Sequence, residues 1–284
     1  MLLIDLSSVV IPEIITLLTK DKVRLDDDVV RSVILSQVFN YKTKFSEYGK
    51  VVICADGKNY WRRDVFPNYK QNRKKIREKS NIDWASFYVI FNRVKKEIAE
   101  LPFKFIEIEK LEADDVIAIL AKRYSQLEDI MIISADKDLL QLQFDKNNIK
   151  QFSPQQKKMV CKNEKNYSLI EHIIRGDSSD GIPNIFSDDD VFMDDNKRQK
   201  QVRKTIIDEA KKMKNPEMVS YNSIILDKYK RNRLLIDLNY IPDEYGNKIV
   251  TAYEKQSGFK KTSILQYAIK HKLKNIIEKF GDFK

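Results

Sequence analysis

The chain has 284 residues, 42% of them hydrophobic, enough for a substantial core, with a smaller second domain expected at this length. Lys and Arg total 52 against 42 acids, and the net charge of +10 suits a polyanionic partner, with a lysine-rich solvated surface as the plain alternative. Seven glycines and seven prolines disfavour a loop-rich all-β protein, two cysteines make no disulfide framework, and no apolar run approaches the ~20 residues of a membrane span.

In chain order, "LLI" at 2–4 predicts a short buried strand that ends on Asp5, and "MLLIDLSS" has neither the basic region nor the apolar stretch of a signal peptide. Apolar spacing predicts a helix over roughly 28–45. "VVICA" at 51–55 is the next strand, ends on Asp56 and buries Cys54 as a small hydrophobe. "FKFIEIE" at 103–109 alternates like a half-buried strand. "VIAILAKRY" at 116–124 is helical, and "IMIIS" at 130–134 is another buried strand, followed by Asp136. Alternating strands and helices predict a largely parallel sheet flanked by helices, with ligands at the carboxyl ends of its strands. From about 165 the pattern turns helical through four segments, with Pro216 and Pro242 at helix starts. The acidic "SDDDVFMDD" at 187–195 reads as a mobile surface loop.

Residues 57–80 carry nine Lys/Arg against two acids, with Tyr60, Trp61, Phe66 and Tyr69 among them. Cations interleaved with aromatics suit a surface that tracks a nucleic-acid strand; a basic helix whose rings face the core is the alternative.

Asp5, Asp56 and Asp136 each follow a strand. Each alone is explained as a helix cap, but parallel strands bring their ends together, and converged carboxylates call for cations. "LEADDVIAIL" adds Glu112, Asp114 and Asp115 at a helix start, where acids also suit the positive helix end. "RGDSSDGIPNI" adds Asp177 and Asp180 in a turn whose backbone N–H groups suit a phosphate, or which is simply an acidic capping turn. The two histidines, His172 and His271, lie outside these acidic motifs, which argues against zinc and against histidine-based nucleophilic catalysis. Oxygen donors beside a basic strand-binding surface suit two Mg²⁺ ions and phosphodiester hydrolysis.

Taken together, "LLIDLSS", "VVICADGKNYWRRDVFPNYKQNRKK", "LEADDVIAIL", "IISADKDLLQL", "QFSPQQKKMV", "RGDSSDG" and "LLIDLNYIPDEYGNKIVTAY" resemble the 5′-nuclease family of flap endonucleases and polymerase 5′-nuclease domains. The resemblance spans nearly the whole chain. It implies a PIN-like α/β catalytic domain at 1–180, including a basic arch at 57–80. A helical C-terminal domain at 181–284 would carry a helix–turn–helix DNA grip. It implies a Mg²⁺-dependent 5′→3′ exonuclease and flap endonuclease with ribonuclease H activity, Mn²⁺ substituting, that removes RNA primers and 5′ flaps in lagging-strand replication. By motif, Asp5, Asp56, Glu112, Asp114 and Asp136 fall on the first metal, and Asp138, Asp177 and Asp180 on the second, with Asp115 behind them. Lys70, Asp136 and Asp114 carry the catalytic roles. Arg62, Tyr69, Lys70 and Arg73 match the arch, with Tyr69 stacking on a terminal base; Ser178, Gly181 and Ile182 match the duplex grip. The implied partners are branched, nicked or flapped DNA and RNA:DNA hybrid, with a single-strand-binding protein besides, acted on by a monomer in the cytoplasm of a phage-infected bacterium. The chain departs from the family where "NIFSDDDVFMDD" replaces a glycine-rich hairpin. It also begins at its first strand, so sliding-clamp contact through an N-terminal extension is not expected. A PIN-type ribonuclease and a non-catalytic nucleic-acid binder of the same fold are the alternatives.

Overall fold

Strand β1 (Leu2–Asp5) is buried at every position, and its last residue turns directly into helix α1 (Leu6–Thr19). The computed structural model describes residues 1–101, 103–143, 148–161, 167–213, 222–256 and 261–279. Helix α2 (Asp27–Lys44) then leads to β2 (Val51–Ala55), α3 (Arg62–Val65), α4 (Asn72–Glu78), α5 (Trp84–Ala99) and β3 (Lys104–Glu107). Next come α6 (Ala113–Tyr124), β4 (Ile130–Ile133), β5 (Ile149–Ser153) and β6 (Lys158–Val160). The remaining elements are helical: α7 (Leu169–Arg175), α8 (Lys204–Lys212), α9 (Ser223–Ile236), α10 (Asp243–Lys255), α11 (Lys261–Lys270) and α12 (Lys274–Lys279).

Among the described residues the strands form one sheet in the order β3-β2-β1-β4-β5-β6, parallel except for the β5–β6 hairpin. The chain winds outward from β1 through β2 to β3, then returns to place β4 on the other side of β1. The carboxyl ends of β1 and β4 therefore flank the topological switch point, where open α/β sheets place their ligands. Because side chains alternate across a strand, Leu2, Ile4, Ile53, Phe105, Met131 and Ile133 share one face. There they pack with Val30, Ile34, Phe87 and Val94 of α2 and α5, and with Ile264 and Ile276 of α11 and α12. Helix α6 packs against β1, β2 and β4, and Leu3, Val52 and Ile132 are fully buried.

The chain divides into two compact units, Met1–Lys58 with Asp83–Lys165 and Asp243–Lys284, and Asn59–Ile82 with Asn166–Pro242. They interleave in sequence, unlike the continuous division into 1–180 and 181–284 expected above. The physical reasons are local. Phe66 and Tyr69 of the basic segment belong to the helical unit's core with Ile173, Ile185, Tyr229 and Leu235. The C-terminal helices are tied to the α/β unit instead. Gln256 receives the Phe105 N–H at 2.6 Å and donates to its carbonyl at 2.6 Å, satisfying the open edge of β3. Arg31 binds Glu97 through two nitrogens at 2.8 and 2.9 Å, and the Tyr267 hydroxyl donates to Glu97 at 2.9 Å. No described helix is long and apolar enough to cross a membrane.

Candidate active site

The acidic cluster of the α/β unit is built by strand ends. Asp5 closes β1 and caps α1, its Oδ1 accepting from the Ser8 N–H at 3.1 Å. Its Oδ2 accepts from the Ser134 hydroxyl at 2.8 Å. Ser134 Oγ in turn accepts from the Asp136 N–H at 3.1 Å, and Asp136 Oδ1 accepts from the Asp138 N–H at 2.8 Å. Gln151 of β5 donates to the carbonyls of Ser134 and Asp136 at 3.0 and 2.7 Å, which fixes the turn after β4.

Asp56, just past β2, accepts from the Ser7 hydroxyl at 2.6 Å and from the Ala113 N–H at 3.0 Å. The second bond brings the start of α6, with Glu112 and Asp114, alongside Asp56. The approach requires Gly57: a Cβ there would lie 2.0 Å from the Ile108 carbonyl oxygen. Asp115 is fully buried and accepts from the Glu112 N–H at 3.0 Å, which fixes the backbone at the start of α6. Asp5, Asp136 and Asp138 are thus linked through Ser134 and backbone N–H groups, and Asp56, held by Ser7, is bonded to the start of α6 that carries Glu112 and Asp114.

Charge is unbalanced there. Burial, with the neighbouring Asp56 and, more weakly, Asp136, raises the Asp5 carboxyl to about 7, against the hydrogen bonds from Ser8 and Ser134 that favour its ionised form. Burial also pushes the Cys54 thiol well up, with Asp5 and Asp114 adding to the effect. All donor atoms offered by the predicted ligands are carboxylate oxygens, a set that fits a hard cation such as Mg²⁺ or Mn²⁺. Lys137 is exposed, consistent with a spacer between two acids.

The helical unit treats its acids differently. Asp180 accepts from the Tyr69 hydroxyl at 3.0 Å, lies 3.5 Å from Lys70 Nζ and pairs with Arg73 at 2.5 Å. Burial alone would raise its carboxyl, but Lys70 and Arg73 outweigh that and hold it below the ordinary carboxylate value. The Lys70 N–H also donates to the Asp180 carbonyl at 2.7 Å. Asp177 accepts from the Ser179 N–H and hydroxyl at 2.7 and 2.6 Å and lies 3.0 Å from His172 Nε2. Sequence reading set His172 aside; a spacing of five residues across a helix end and a turn gave no signal of that contact.

Several expectations for the basic segment are corrected. Trp61, Phe66 and Tyr69 are buried, Tyr69 at 2% exposure, and the Phe66 and Tyr69 rings belong to the helical unit's core. Tyr69 therefore offers no open face to a base in this arrangement. Arg62 is buried at 3% exposure, with Nε donating to the Leu235 carbonyl at 2.9 Å and its guanidinium 4.6 Å over the Trp61 ring. Its role is to hold the segment to α9. In the duplex-grip motif Ser178 is exposed, but Gly181 and Ile182 are buried. The Ile182 N–H is bonded to the Asp177 carbonyl at 2.7 Å and so is not presented for a phosphate.

Nor is the acidic stretch 187–195 a loose loop. Lys75 Nζ donates to the Met193 carbonyl at 2.6 Å and to Asp195 at 3.1 Å. Asn68 donates to the Asp189 carbonyl, Arg231 pairs with Asp189, and Lys197 grips both oxygens of Asp190. The stretch thus fastens the basic segment from both ends of α4's approach.

Comparison with known proteins accords with this architecture. Residues 2–171 match the 5′-3′ exonuclease N-terminal resolvase-like domain, and 164–283 match the C-terminal domain of T4 RNase H. The chain is 32% identical over 273 residues to the Ribonuclease H of Enterobacteria phage T4, covering 93% of this chain and 89% of that one. It is 32% identical over 154 residues to the 5′-3′ exonuclease of Buchnera aphidicola, covering 51% and 50%. A structure of the bacteriophage T5 flap endonuclease with DNA and metal ions superposes with a TM-score of 0.63 at 18% identity, covering 89% of this chain and 99% of that one, a likeness of fold. A zinc-bound T5 5′-exonuclease gives a TM-score of 0.61 at 17% identity with the same coverage. The chain belongs to the 5′-3′ exonuclease family and is a nuclease of that family.

Proposed function

We propose that the protein is a Mg²⁺-dependent 5′→3′ exonuclease and flap endonuclease with ribonuclease H activity. It hydrolyses phosphodiester bonds at a two-ion centre and removes RNA primers and 5′ flaps during lagging-strand replication. The observation that carries this reading is the convergence of Asp5, Asp56 and Asp136 at the ends of three adjacent parallel strands, with Glu112 and Asp114 brought alongside by the Asp56–Ala113 bond.

Asp5, Asp56, Glu112, Asp114 and Asp136 would hold one ion; assignment of Asp138, Asp177 and Asp180 to a second rests on their motifs. Such ions, when bound, lower the pKa of a water and stabilise charge on the phosphate and the leaving oxygen. The chain's own residues do the positioning. Ser7, Ser8 and Ser134 aim the Asp56 and Asp5 carboxylates. Asp115 and Gln151 brace the backbone on either side. Lys70 supplies a cation for a phosphate oxygen, exchanging Asp180 for substrate. Branched, nicked and flapped DNA and RNA:DNA hybrid are the proposed substrates, consistent with the DNA in the T5 enzyme's structure.

The test is cleavage of 5′-labelled RNA:DNA, nicked and flapped duplexes with Mg²⁺ or EDTA, using the wild-type protein and Asp136→Asn. The variant should fold, bind and fail to cut. Cleavage at the native rate by Asp136→Asn, or in EDTA by the wild type, would refute the metal reading.

A further inference from the structure

A groove of about 740 Å³ lies in the α/β unit between α1, α2 and the β5–β6 turn. Its lining does not belong to the carboxylate site, but one end touches it. Ser8 is a lining residue, its N–H bonded to Asp5 and its Oγ accepting from the Ala135 N–H at 2.9 Å, one residue before Asp136. From Ser8 the groove follows α1 to Lys20. The twelve residue-to-residue rises from Ser8 to Lys20 span roughly 18 Å at 1.5 Å each, the axial length of about five nucleotides of a strand.

The walls carry three cations from three elements: Lys20 after α1, Lys44 at the end of α2 and Lys157 on the hairpin turn, all exposed. Glu13 is the one carboxylate among the lining residues. Lys20 and Lys44 also suit the negative ends of their helices, which alone would explain those two. That account does not reach Lys157, which holds φ at +52° on the turn, a conformation few non-glycine residues adopt. Nor does it explain the floor. Tyr41 and Phe152 lie with ring centroids 6.0 Å apart, and Lys44 Nζ sits 3.7 Å over the Phe152 ring. Phe152 is itself buried, so the half-buried Tyr41 is the ring this floor offers, and cations above it suit the backbone of a nucleic-acid strand more than its bases.

We propose that this groove carries the sugar-phosphate backbone of the substrate away from the catalytic carboxylates, with Lys20, Lys44 and Lys157 as its phosphate contacts. The proposal rests on the nuclease reading and extends it to a surface that no acidic or basic-arch motif marks.

The experiment measures binding of a fluorescent flapped duplex by anisotropy across a salt series, in an Asp136→Asn background that cannot cut. The Lys20→Ala/Lys44→Ala/Lys157→Ala variant is compared with Lys150→Ala/Lys255→Ala/Lys270→Ala, which removes the same charge from exposed sites elsewhere. The groove variant should lose about tenfold or more in affinity, and its log K against log salt slope should fall by roughly two to three, near 0.9 per lost contact. Each single substitution should lower the slope by about one. The control variant should keep the parental slope. A groove variant that matches the control in both affinity and slope would overturn the proposal. Absence of Mg²⁺-dependent cleavage by the wild type would instead strike at the nuclease reading, which the binding series does not test.

Discussion

Asp5→Asn should make the metal-free protein more stable at neutral and alkaline pH while removing its response to Mg²⁺. Asp5 is buried beside Asp56, and its carboxyl titrates near 7 instead of 3.8. One pKa unit corresponds to about 1.4 kcal/mol, so the rise represents a penalty of roughly 4 kcal/mol at most on the ionised form. The sign follows from proton binding. Below pH 4 the carboxyl is neutral in both folded and unfolded chains, and no penalty exists. Between about pH 4 and 7 the unfolded chain gives up its proton and the folded chain keeps it, so the folded state loses relative stability as pH rises. Above 7 the penalty is complete. An asparagine has the same shape and keeps an oxygen for the Ser8 N–H. Urea unfolding in EDTA should therefore show Asp5→Asn more stable than the wild type by about 2–4 kcal/mol at pH 8, a gain that shrinks steadily toward pH 4. Adding Mg²⁺ should raise the wild-type midpoint and leave the variant's nearly unchanged. Equal stabilities in EDTA at both pH values would refute the claim that this cluster is held against its own repulsion.

Lys70→Ala should slow cleavage by about a hundredfold or more with a much smaller loss of binding, because its charge matters most when the phosphate becomes more negative; a parallel loss in the two would make it an ordinary phosphate contact. The same variant should move acid unfolding to higher pH. Asp180 is held below its ordinary value partly by Lys70, and the stability this gives is present above the unfolded pKa and lost as pH falls. An unchanged acid midpoint would show that Arg73 alone suffices. Asp195→Asn should raise amide exchange over residues 68–77 by weakening the Lys75 contact while leaving the midpoint of global unfolding in place; unchanged exchange would show that the Met193 carbonyl and the Asn68–Asp189 bond hold the segment without it.

Strands β1, β2 and β4 were legible because fully buried parallel strands read as unbroken apolar runs, and the acid after each run marks the strand end. Their convergence required only the alternation of strands and helices. Helix α1 was not legible: "LSSVVIPEIITLLT" is rich in β-branched residues and has Pro12 in its middle, both signals against a helix. Tertiary burial of Leu6, Val10 and Ile14 overrides them. The edge hairpin β5–β6 was missed because "IKQFS" alternates too weakly to stand out. Cations and aromatics in residues 57–80 were legible as composition, but whether the rings faced a strand or the core depended on partners more than a hundred residues away, such as Ile173 and Leu235. The same distance hid the return of 243–284 to the α/β unit, which rests on Gln256 at the edge of β3 and on Tyr267 beside Glu97.

The two groups of predicted ligands handle charge in opposite ways, and this bears on which is the stronger cation site. At Asp5 the donors are neutral: the Ser134 hydroxyl and the Ser8 N–H orient its carboxylate without cancelling its charge. The raised Asp5 carboxyl is the signature of that deficit, and an incoming divalent ion gains from removing it. Around Asp180 an ammonium, a guanidinium and a phenol already satisfy the carboxylate. An ion binding Asp180 has to displace Lys70 and Arg73, which costs it the attraction they enjoy. Phosphates attract those same two cations, so substrate entering the basic segment would weaken their hold on Asp180 and favour an ion there. Reciprocity then requires an ion at Asp180 to favour substrate by the same factor. On these grounds the ion proposed for the Asp5 group would bind independently of substrate, and the one proposed for the Asp180 group would bind together with it.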